Sequence, residues 1–410
     1  MRDLRRVFLL RFKDLNRKAT TGLLLVLGAI PVAIGVALRS SGPGASPVDV
    51  DAVPELLRAG RFAAAERTVR MYLSEHPGQS SARLLLAQVL ISAERSDPDP
   101  AAAIRTLKSA RSGDRKIEAA IRWTEGKAWQ MLGGLAEAEA AWRIAIDRDP
   151  LNDQAFESLL ELYYLEGRES DTRELVSQRF EIERDKRKLG KWCLYPVRRL
   201  VMEPSPALVL DRLGAAAKRE PVDFHARRAY GLALVHDGRV EEGLGILRET
   251  VERDPRSKDA WIALLTGLDD SGRPDEFAST LARLPQEHAV DPAFLIFQAR
   301  AASDQGDFEG AARDYKRAER AGFRDPKTTY RLIQALRRSG RVDEAKEVDR
   351  RFLEDEETRK TLKALYNKAV EFAGRAEPER DVEVDRAIAR GLKRLGFQQD
   401  SERLLATISQ

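Results

Sequence analysis

The chain has 410 residues, of which 33% are charged and only 7% are aromatic, a composition that suits exposed amphipathic helices better than one large globular core. Its net charge is +4, but residues 1–39 carry a net +6, so residues 40–410 are close to neutral at about −2. Because nucleic-acid binding requires a sustained basic face, this distribution argues against a nucleic-acid partner. Cys193 is the only cysteine, which excludes an intrachain disulfide and a cysteine-based metal site.

Residues 1–18 form a basic tail in which seven lysines and arginines outnumber Asp3 and Asp14. Apolar residues alternate with these cations, which is typical of an interfacial helix lying against anionic lipid headgroups. A simple topology signal has the same composition, and both interpretations fit the tail. In either case the tail is predicted to lie in the cytoplasm.

Ala19 to Leu38 is an uncharged run of twenty residues, which as a helix is about 30 Å long and matches the hydrocarbon thickness of a bilayer. Pro31 lies inside this run, and membrane-spanning helices tolerate proline. We therefore predict one transmembrane helix over residues 19–38 in a cell inner membrane, with the N-terminus cytoplasmic and the body of the chain periplasmic. The alternative is a signal peptide, cleaved near Gly35-Val36-Ala37, with export of the rest.

Residues 39–48 are rich in serine, glycine and proline and predict a flexible linker. From residue 49 onward a pattern with a period of about 34 residues takes over. Each copy predicts a helix with a small residue near its middle, a glycine turn, and a second helix that ends at a proline. The third copy shows the pattern most fully, with Gly126, Trp129, Gly133, Gly134, Ala138, Trp142, Ala145 and Pro150.

This spacing resembles the tetratricopeptide repeat, and eight or nine copies in register carry the resemblance along most of the chain. The resemblance implies an all-α fold, a right-handed superhelical solenoid of stacked antiparallel helix pairs, preceded here by the one transmembrane helix. Residues 49–179 are predicted to form the first half of the array, and residues 206–410 the second half with a C-terminal cap.

Two stretches break the period. Residues 180–205 fit no copy and predict an irregular hinge or a degenerate repeat. Basic residues surround Trp192 and Tyr195 there, and we interpret them as a charged helix end followed by an apolar plug, with a site for an acidic partner or anionic lipid as the alternative. The second break contains a long helical stretch from Glu357 to Phe372.

The sequence contains no candidate catalytic or metal-binding constellation. His225 and His236 are about three helical turns apart, too far to chelate one ion. Carboxylates occur at the spacings of solvated helix-surface ion pairs, and motifs for a phosphate loop, a nucleophile elbow or a zinc-protease helix are missing. We therefore predict a protein that is not an enzyme and that uses no metal, cofactor or small-molecule substrate.

In tetratricopeptide proteins the first helices of successive repeats line a concave groove that takes peptides, so the resemblance implies such a groove here. Its residues in the first half would be Trp123, Lys127, Gln130, Glu157, Glu161 and Tyr164. In the second half they would be Arg228, His236, Asp269, Arg300, Tyr330, Gln334 and Arg337. The Lys/Asn/Arg set with which some family members hold a C-terminal carboxylate does not occur in one place.

Two functions follow from these features. The first is a non-enzymatic, membrane-anchored scaffold whose repeats bind protein or peptide partners in a bacterial cell-envelope complex. The second is an accessory or regulatory subunit of a membrane enzyme or of a transport or secretion system. In that case the small residues Gly28, Ala29, Ala33 and Gly35 of the predicted span would contact other membrane helices.

Overall fold

The computed structural model describes residues 50–219, 223–322, 325–373 and 381–408. They divide into two compact units, one made of residues 50–157 with 370–373, the other of residues 158–369 with 381–408. The predicted basic tail (1–18), transmembrane helix (19–38) and linker (39–48) lie outside the described residues. Within the described part, no helix combines the length and the apolar character needed to cross a bilayer.

All regular secondary structure of the described residues is helical, and turns and short loops join the helices. In chain order the α-helices are α1 Val53–Arg58, α2 Phe62–Glu75, α3 Ser80–Leu90, α4 Pro100–Leu107, α5 Arg115–Met131, α6 Leu135–Arg148, α7 Asp153–Glu166, α8 Glu169–Ile182, α9 Lys186–Val201, α10 Pro206–Ala217, α11 Phe224–His236, α12 Val240–Arg253, α13 Lys258–Asp270, α14 Pro274–Ala282, α15 Gln286–Ala289, α16 Leu295–Asp304, α17 Phe308–Arg320, α18 Pro326–Arg338, α19 Val342–Ala373, α20 Val382–Arg394 and α21 Gln398–Ala406. Successive helices pack as hairpins, for example α5 on α6, α11 on α12 and α16 on α17. This confirms the all-α helical-repeat fold; its superhelical handedness stays a prediction.

Glycine turns join the two helices of a hairpin. Between α5 and α6, Gly133 has φ +74°, a left-handed conformation that other residues rarely adopt. Its N–H donates to the carbonyl of Gln130 (3.1 Å), and the N–H of Gly134 donates to the carbonyl of Trp129 (2.8 Å). These two bonds form a Schellman motif, which satisfies the last carbonyls of α5. Left-handed glycines occur at the equivalent turns after α1, α7, α11, α13, α16, α18 and α20.

A close approach of two helices depends on the small residue that the repeat pattern predicts. A Cβ atom on Gly126 of α5 would lie 2.3 Å from Nε1 of Trp142, which leaves no room for a side chain. Trp142 is fully buried on α6, and its Nε1 donates a hydrogen bond to the carbonyl of Trp123 (3.2 Å). Glycine therefore sets the spacing of α5 and α6, and the indole fills the space between them.

The apolar cores follow the chain from hairpin to hairpin. In the first unit one cluster joins α1 to α5 and includes Val69, Leu86, Leu107 and Ile121. In the second unit one cluster runs from α11 to α16 around Trp261 and Phe294, and another joins α16 to α19 around Tyr315 and Leu336. Each hairpin thus buries its apolar face against its neighbours, as expected for a repeat protein.

Helix α9 covers most of the segment for which an irregular hinge or a degenerate repeat was predicted. The helix runs from Lys186 to Val201 with Pro196 inside it. Its residues Cys193, Leu194 and Val197 are buried in a cluster with residues of α19, α20 and α21. Within the second unit, α9 therefore packs against the C-terminal hairpin α20–α21, nearly two hundred residues further along the chain.

Helix α19 extends over 32 residues, about twice the length of the other second helices. Its first half packs in the cluster of α16 to α18 through Ala345 and Val348. Its second half packs in the cluster of α9, α20 and α21 through Leu362 and Tyr366. The stretch predicted as helix from Glu357 to Phe372 is therefore the second half of one continuous helix.

Candidate interaction surface on the inner helices

We call the first helix of each hairpin an inner helix, because the repeat pattern assigns these helices to the predicted groove. In the first unit the groove residues lie on α5 and at the start of α7. Trp123 is only 6% exposed, so its ring belongs to the packed interior. Lys127 donates from Nζ to Oε1 of Gln130 (2.7 Å), and Glu157 is half-buried. On this unit the polar part of the predicted set is divided between two helices, with Lys127 and Gln130 on α5 and Glu157 on α7.

In the second unit the inner helix α7 meets α9 through a charged and aromatic contact. Arg198 donates from Nη1 to Oε2 of Glu161 (2.7 Å), and its guanidinium lies 3.7 Å from the centre of the Tyr164 ring. The Tyr164 hydroxyl donates to the carbonyl of Met202 (3.2 Å). Burial lowers the pKa of Arg198, but the charge of Glu161 and its hydrogen bond, with smaller contributions from Tyr164 and Tyr366, together outweigh burial and raise the pKa. Glu161 and Tyr164 therefore hold α9 in place.

Arg228 on α11 bridges neighbouring inner helices. It forms an ion pair with Asp259 of α13 (2.7 Å) and donates from Nη2 to the carbonyl of Glu166 at the end of α7 (2.8 Å). Three inner helices, α7, α11 and α13, are thereby connected through one guanidinium. The guanidinium of Arg228 thus lies between the end of α7 and the start of α13.

A cluster of opposite charges forms at the ends of α11, α13, α16 and α18. Asp269 accepts hydrogen bonds from Nη2 of Arg331 (2.7 Å) and Nε of Arg300 (3.2 Å), and Lys327 pairs with both Asp269 and Asp270. Asp270 also accepts from Nε2 of His236 at 3.0 Å. We name these six residues the inner charge cluster; it links four inner helices.

The pKa values of this cluster follow from its hydrogen bonds. Burial raises the pKa of Asp269, but the hydrogen bonds from Arg331 and Lys327 outweigh burial and hold the pKa below its ordinary value. The pKa of Asp270 is lowered in the same way by His236 and Lys327 against the effect of burial. The hydrogen bond to Asp270 raises the pKa of His236, although burial opposes the shift. The carboxylates are therefore ionised at neutral pH.

The remaining predicted groove residues lie on α18, one or two turns from the cluster. Tyr330 is 54% exposed, Gln334 is half-buried, and Arg337 pairs with Asp349 of α19 (2.7 Å). At intervals of four and three residues, the three side chains share one face of the helix. This face continues the surface that Lys327 and Arg331 begin. An accessible tyrosine thus stands beside a fixed set of charges.

Arg198 belongs to the basic segment around Trp192, for which an acidic partner was one interpretation. The predicted groove set left out other participants of these contacts, among them Asp259, Asp270, Lys327 and Arg331. One of them had a detectable signal, because Asp270 follows His236 by 34 residues, the length of one repeat. Equivalent positions of adjacent repeats lie next to each other, so that interval predicts the contact. Lys327 and Arg331 reach back across two hairpins, and a one-repeat interval does not reveal them.

Among the described residues, no group of three or more histidine, cysteine, aspartate or glutamate side chains is arranged to hold a metal ion. The acidic side chains at the inner charge cluster are instead paired with the chain's own cations. With mixed charges and an exposed tyrosine, this surface suits recognition of another polypeptide.

Comparison with known families supports the repeat assignment. The family model for the tetratricopeptide repeat matches residues 50–115, 210–258 and 298–357. Over these three ranges the chain is similar to tetratricopeptide repeats, in agreement with its helical hairpins. No curated protein matches the chain significantly.

Two solved structures are similar to this chain at low identity. One is a tetratricopeptide repeat protein from Parabacteroides merdae, which is 13% identical, with 70% of this chain and 97% of that chain covered and a TM-score of 0.29. The other is the APC/C hetero-tetramer Cut9–Hcn1, which is 12% identical, with 88% and 79% covered and a TM-score of 0.31.

Proposed function

We propose that this protein is a non-enzymatic scaffold that binds a segment of a partner protein on the inner helices of its second unit. The observation that carries the proposal is the face of α18, where an exposed Tyr330 stands beside Gln334 and Arg337. Tyrosine and arginine are the residues that most often dominate binding energy at protein interfaces. Next to this face, the side chains of the inner charge cluster are held by their own hydrogen bonds, so that part of the surface is ordered before a partner binds.

Binding measurements on single variants should show whether Tyr330 itself contributes to partner binding. Tyr330→Ala should weaken partner binding by at least tenfold, because truncating an aromatic anchor costs more than about 1.4 kcal/mol. The free energy of unfolding should barely change, since more than half of the side chain is exposed. Leu353→Ala is the matched control, because Leu353 is an exposed apolar residue on α19. Equal binding by the wild type and Tyr330→Ala, measured by calorimetry with the identified partner, would contradict the proposal.

We also propose that a membrane anchor precedes the repeats. The uncharged run from Ala19 to Leu38, with the basic tail before it, supports a single span whose N-terminus is cytoplasmic and whose repeats lie in the periplasm of a bacterial envelope. A C-terminal alkaline phosphatase fusion should be active outside the cytoplasm and should remain in the membrane fraction. Release of active fusion into the soluble periplasm would favour the cleaved signal peptide. Activity only of a cytoplasmic reporter would contradict the orientation.

A second role, as an accessory subunit of a membrane enzyme or transport system, is favoured by the small residues of the predicted span, which permit close helix contacts. Exchange of residues 19–38 for an unrelated span distinguishes the two roles. If every partner is lost in mild detergent, the span is the binding element. If partners stay bound to the exchanged chain, the repeats bind them.

A further inference from the structure

The C-terminal hairpin α20–α21 packs against α19, which precedes it in the chain, and against α9, which is distant in sequence. Val384, Ile388 and Leu404 of the hairpin are buried in one cluster with Cys193, Leu194 and Val197 of α9. At the edge of this contact Arg173 of α8 donates from Nε to Oδ2 of Asp400 (3.2 Å). The same guanidinium lies over the ring of Phe397, 5.3 Å from its centre. The contact thus has an apolar centre and a charged, partly exposed edge.

The hairpin also has bonds that hold it together independently of α9. The buried hydroxyl of Ser401 donates to the carbonyl of Ala389 (2.8 Å), which ties α21 to α20. At the turn, the N–H of Phe397 donates to the carbonyl of Leu392 (2.9 Å), and Gly396 has a left-handed φ of +92°. A helical hairpin with its own internal bonds can move as one cooperative element while the remaining repeats stay folded.

Connectivity does not enforce the contact with α9. Arg173 and Asp400 are 227 residues apart, so the hairpins between them can keep their own packing when this contact opens. Opening would expose the apolar face of α9 beside the guanidinium of Arg173, which then keeps only its 3.6 Å pair with Glu169 of α8. That combination fits an amphipathic helix with an apolar stripe and one carboxylate, which is the chemistry the chain's own hairpin supplies.

We propose that α20–α21 is a releasable clasp that covers a docking face on α8 and α9, and that an amphipathic helix of a partner protein, with a carboxylate in place of Asp400, displaces it. The clasp goes beyond the binding surface on α18 and does not depend on it. In the closed state the docking face is occupied by the chain itself. Partner binding then competes with closure, so the affinity is set by the population of the open state.

Cys193 allows the clasp to be followed directly, because it is the chain's only cysteine and is buried under the hairpin. The rate at which a disulfide reagent labels its thiol in the full-length chain, in mild detergent, reports opening. Asp400→Asn and Ile388→Val should each raise the rate about fivefold, from loss of an ion pair and of one buried methyl group. Leu405→Ala is the control and should leave the rate unchanged, because Leu405 is exposed on the same hairpin.

Urea distinguishes release of the clasp from unfolding of the whole chain. The free energy of opening, obtained from the labelling rate, should fall with urea concentration much less steeply than the free energy of global unfolding, which is measured by circular dichroism. The slope is smaller because release exposes little surface. If opening measured by labelling and global unfolding have the same slope and the same free energy, Cys193 reacts only in the unfolded chain and the proposal is overturned.

Displacement is tested with a fluorescent peptide of residues 381–408 as the probe. The peptide should bind full-length Asp400→Asn about fivefold more tightly than the wild type, because the weakened clasp competes less well. No binding, or equal binding to both proteins, would overturn the docking face. Tyr330→Ala should leave the labelling rate of Cys193 and the binding of the peptide unchanged. The experiments therefore test the clasp independently of partner binding on α18.

Discussion

Gly126 shows how one missing side chain sets the distance between two helices. The sequence predicts a small residue there from the repeat pattern, and the structure gives the reason, since Nε1 of Trp142 occupies the space of a Cβ atom. The burial of Trp123 was not predictable, because the repeat pattern assigns its position to the groove. Whether a side chain at such a position points outward depends on the neighbouring hairpin, which the pattern does not describe.

Gly126→Ala should destabilise the chain by about 2 kcal/mol or more, because the added methyl group forces the buried indole to move. Gly245→Ala provides the matched control, since Gly245 lies inside α12 and a Cβ there meets nothing within 4 Å. That change should stabilise the helix by about 0.5–1 kcal/mol. Urea unfolding of both variants measures the difference. Equal effects of the two substitutions would contradict the close approach of α5 and α6.

At the scale of elements, the sequence predicts hairpins where glycine and proline mark the boundaries. Such boundaries are missing in α19, because its residues from Val342 to Ala373 include neither glycine nor proline. One continuous helix therefore packs in two apolar clusters, that of α16 to α18 and that of α9, α20 and α21. Helix α9 was harder to predict for another reason. Its apolar residues are buried by α19, α20 and α21. The repeat pattern predicts contacts between neighbouring repeats only, so it does not indicate partners that lie so far along the chain.

Leu362→Ala should cost about 2–5 kcal/mol of unfolding free energy, because Leu362 is 1% exposed in the second half of α19. Leu353→Ala on the same helix should change the stability by less than about 0.5 kcal/mol, since Leu353 is 64% exposed. Chemical unfolding gives both values. A neutral Leu362→Ala would mean that the second half of α19 is not packed in solution.

At the scale of the whole molecule, the inner charge cluster makes stability depend on pH in two directions. His236 has a raised pKa in the folded state, so the stability from its pair with Asp270 is complete below the unfolded pKa of about 6.5. This stability is lost as pH rises through the higher folded pKa. Asp269 and Asp270 have lowered pKa values, so their contribution is present above the unfolded pKa and is lost as pH falls through the folded one.

The stability of His236→Gln, measured by thermal unfolding between about pH 5 and pH 9, should therefore depend less on pH than that of the wild type. The difference in stability between the two proteins should be largest at the acidic end of that range. A cycle with Asp270→Asn isolates the pair, and the double variant should lose less stability than the two single variants together. Additive effects would show that His236 and Asp270 do not interact. Salt should reduce the coupling, because the histidine is partly exposed.

We propose that partner proteins bind to the inner face of α18. Site-specific photo-cross-linking in the native cell tests it most directly, with the photoreactive residue placed at Tyr330 in one strain and at Leu353 in another. Both positions are exposed, so both variants should fold and both reactive groups should reach solvent. We expect a discrete cross-linked protein from position 330 and none from position 353. The same product from both positions, or a product from position 353 alone, would contradict binding at the inner face of α18.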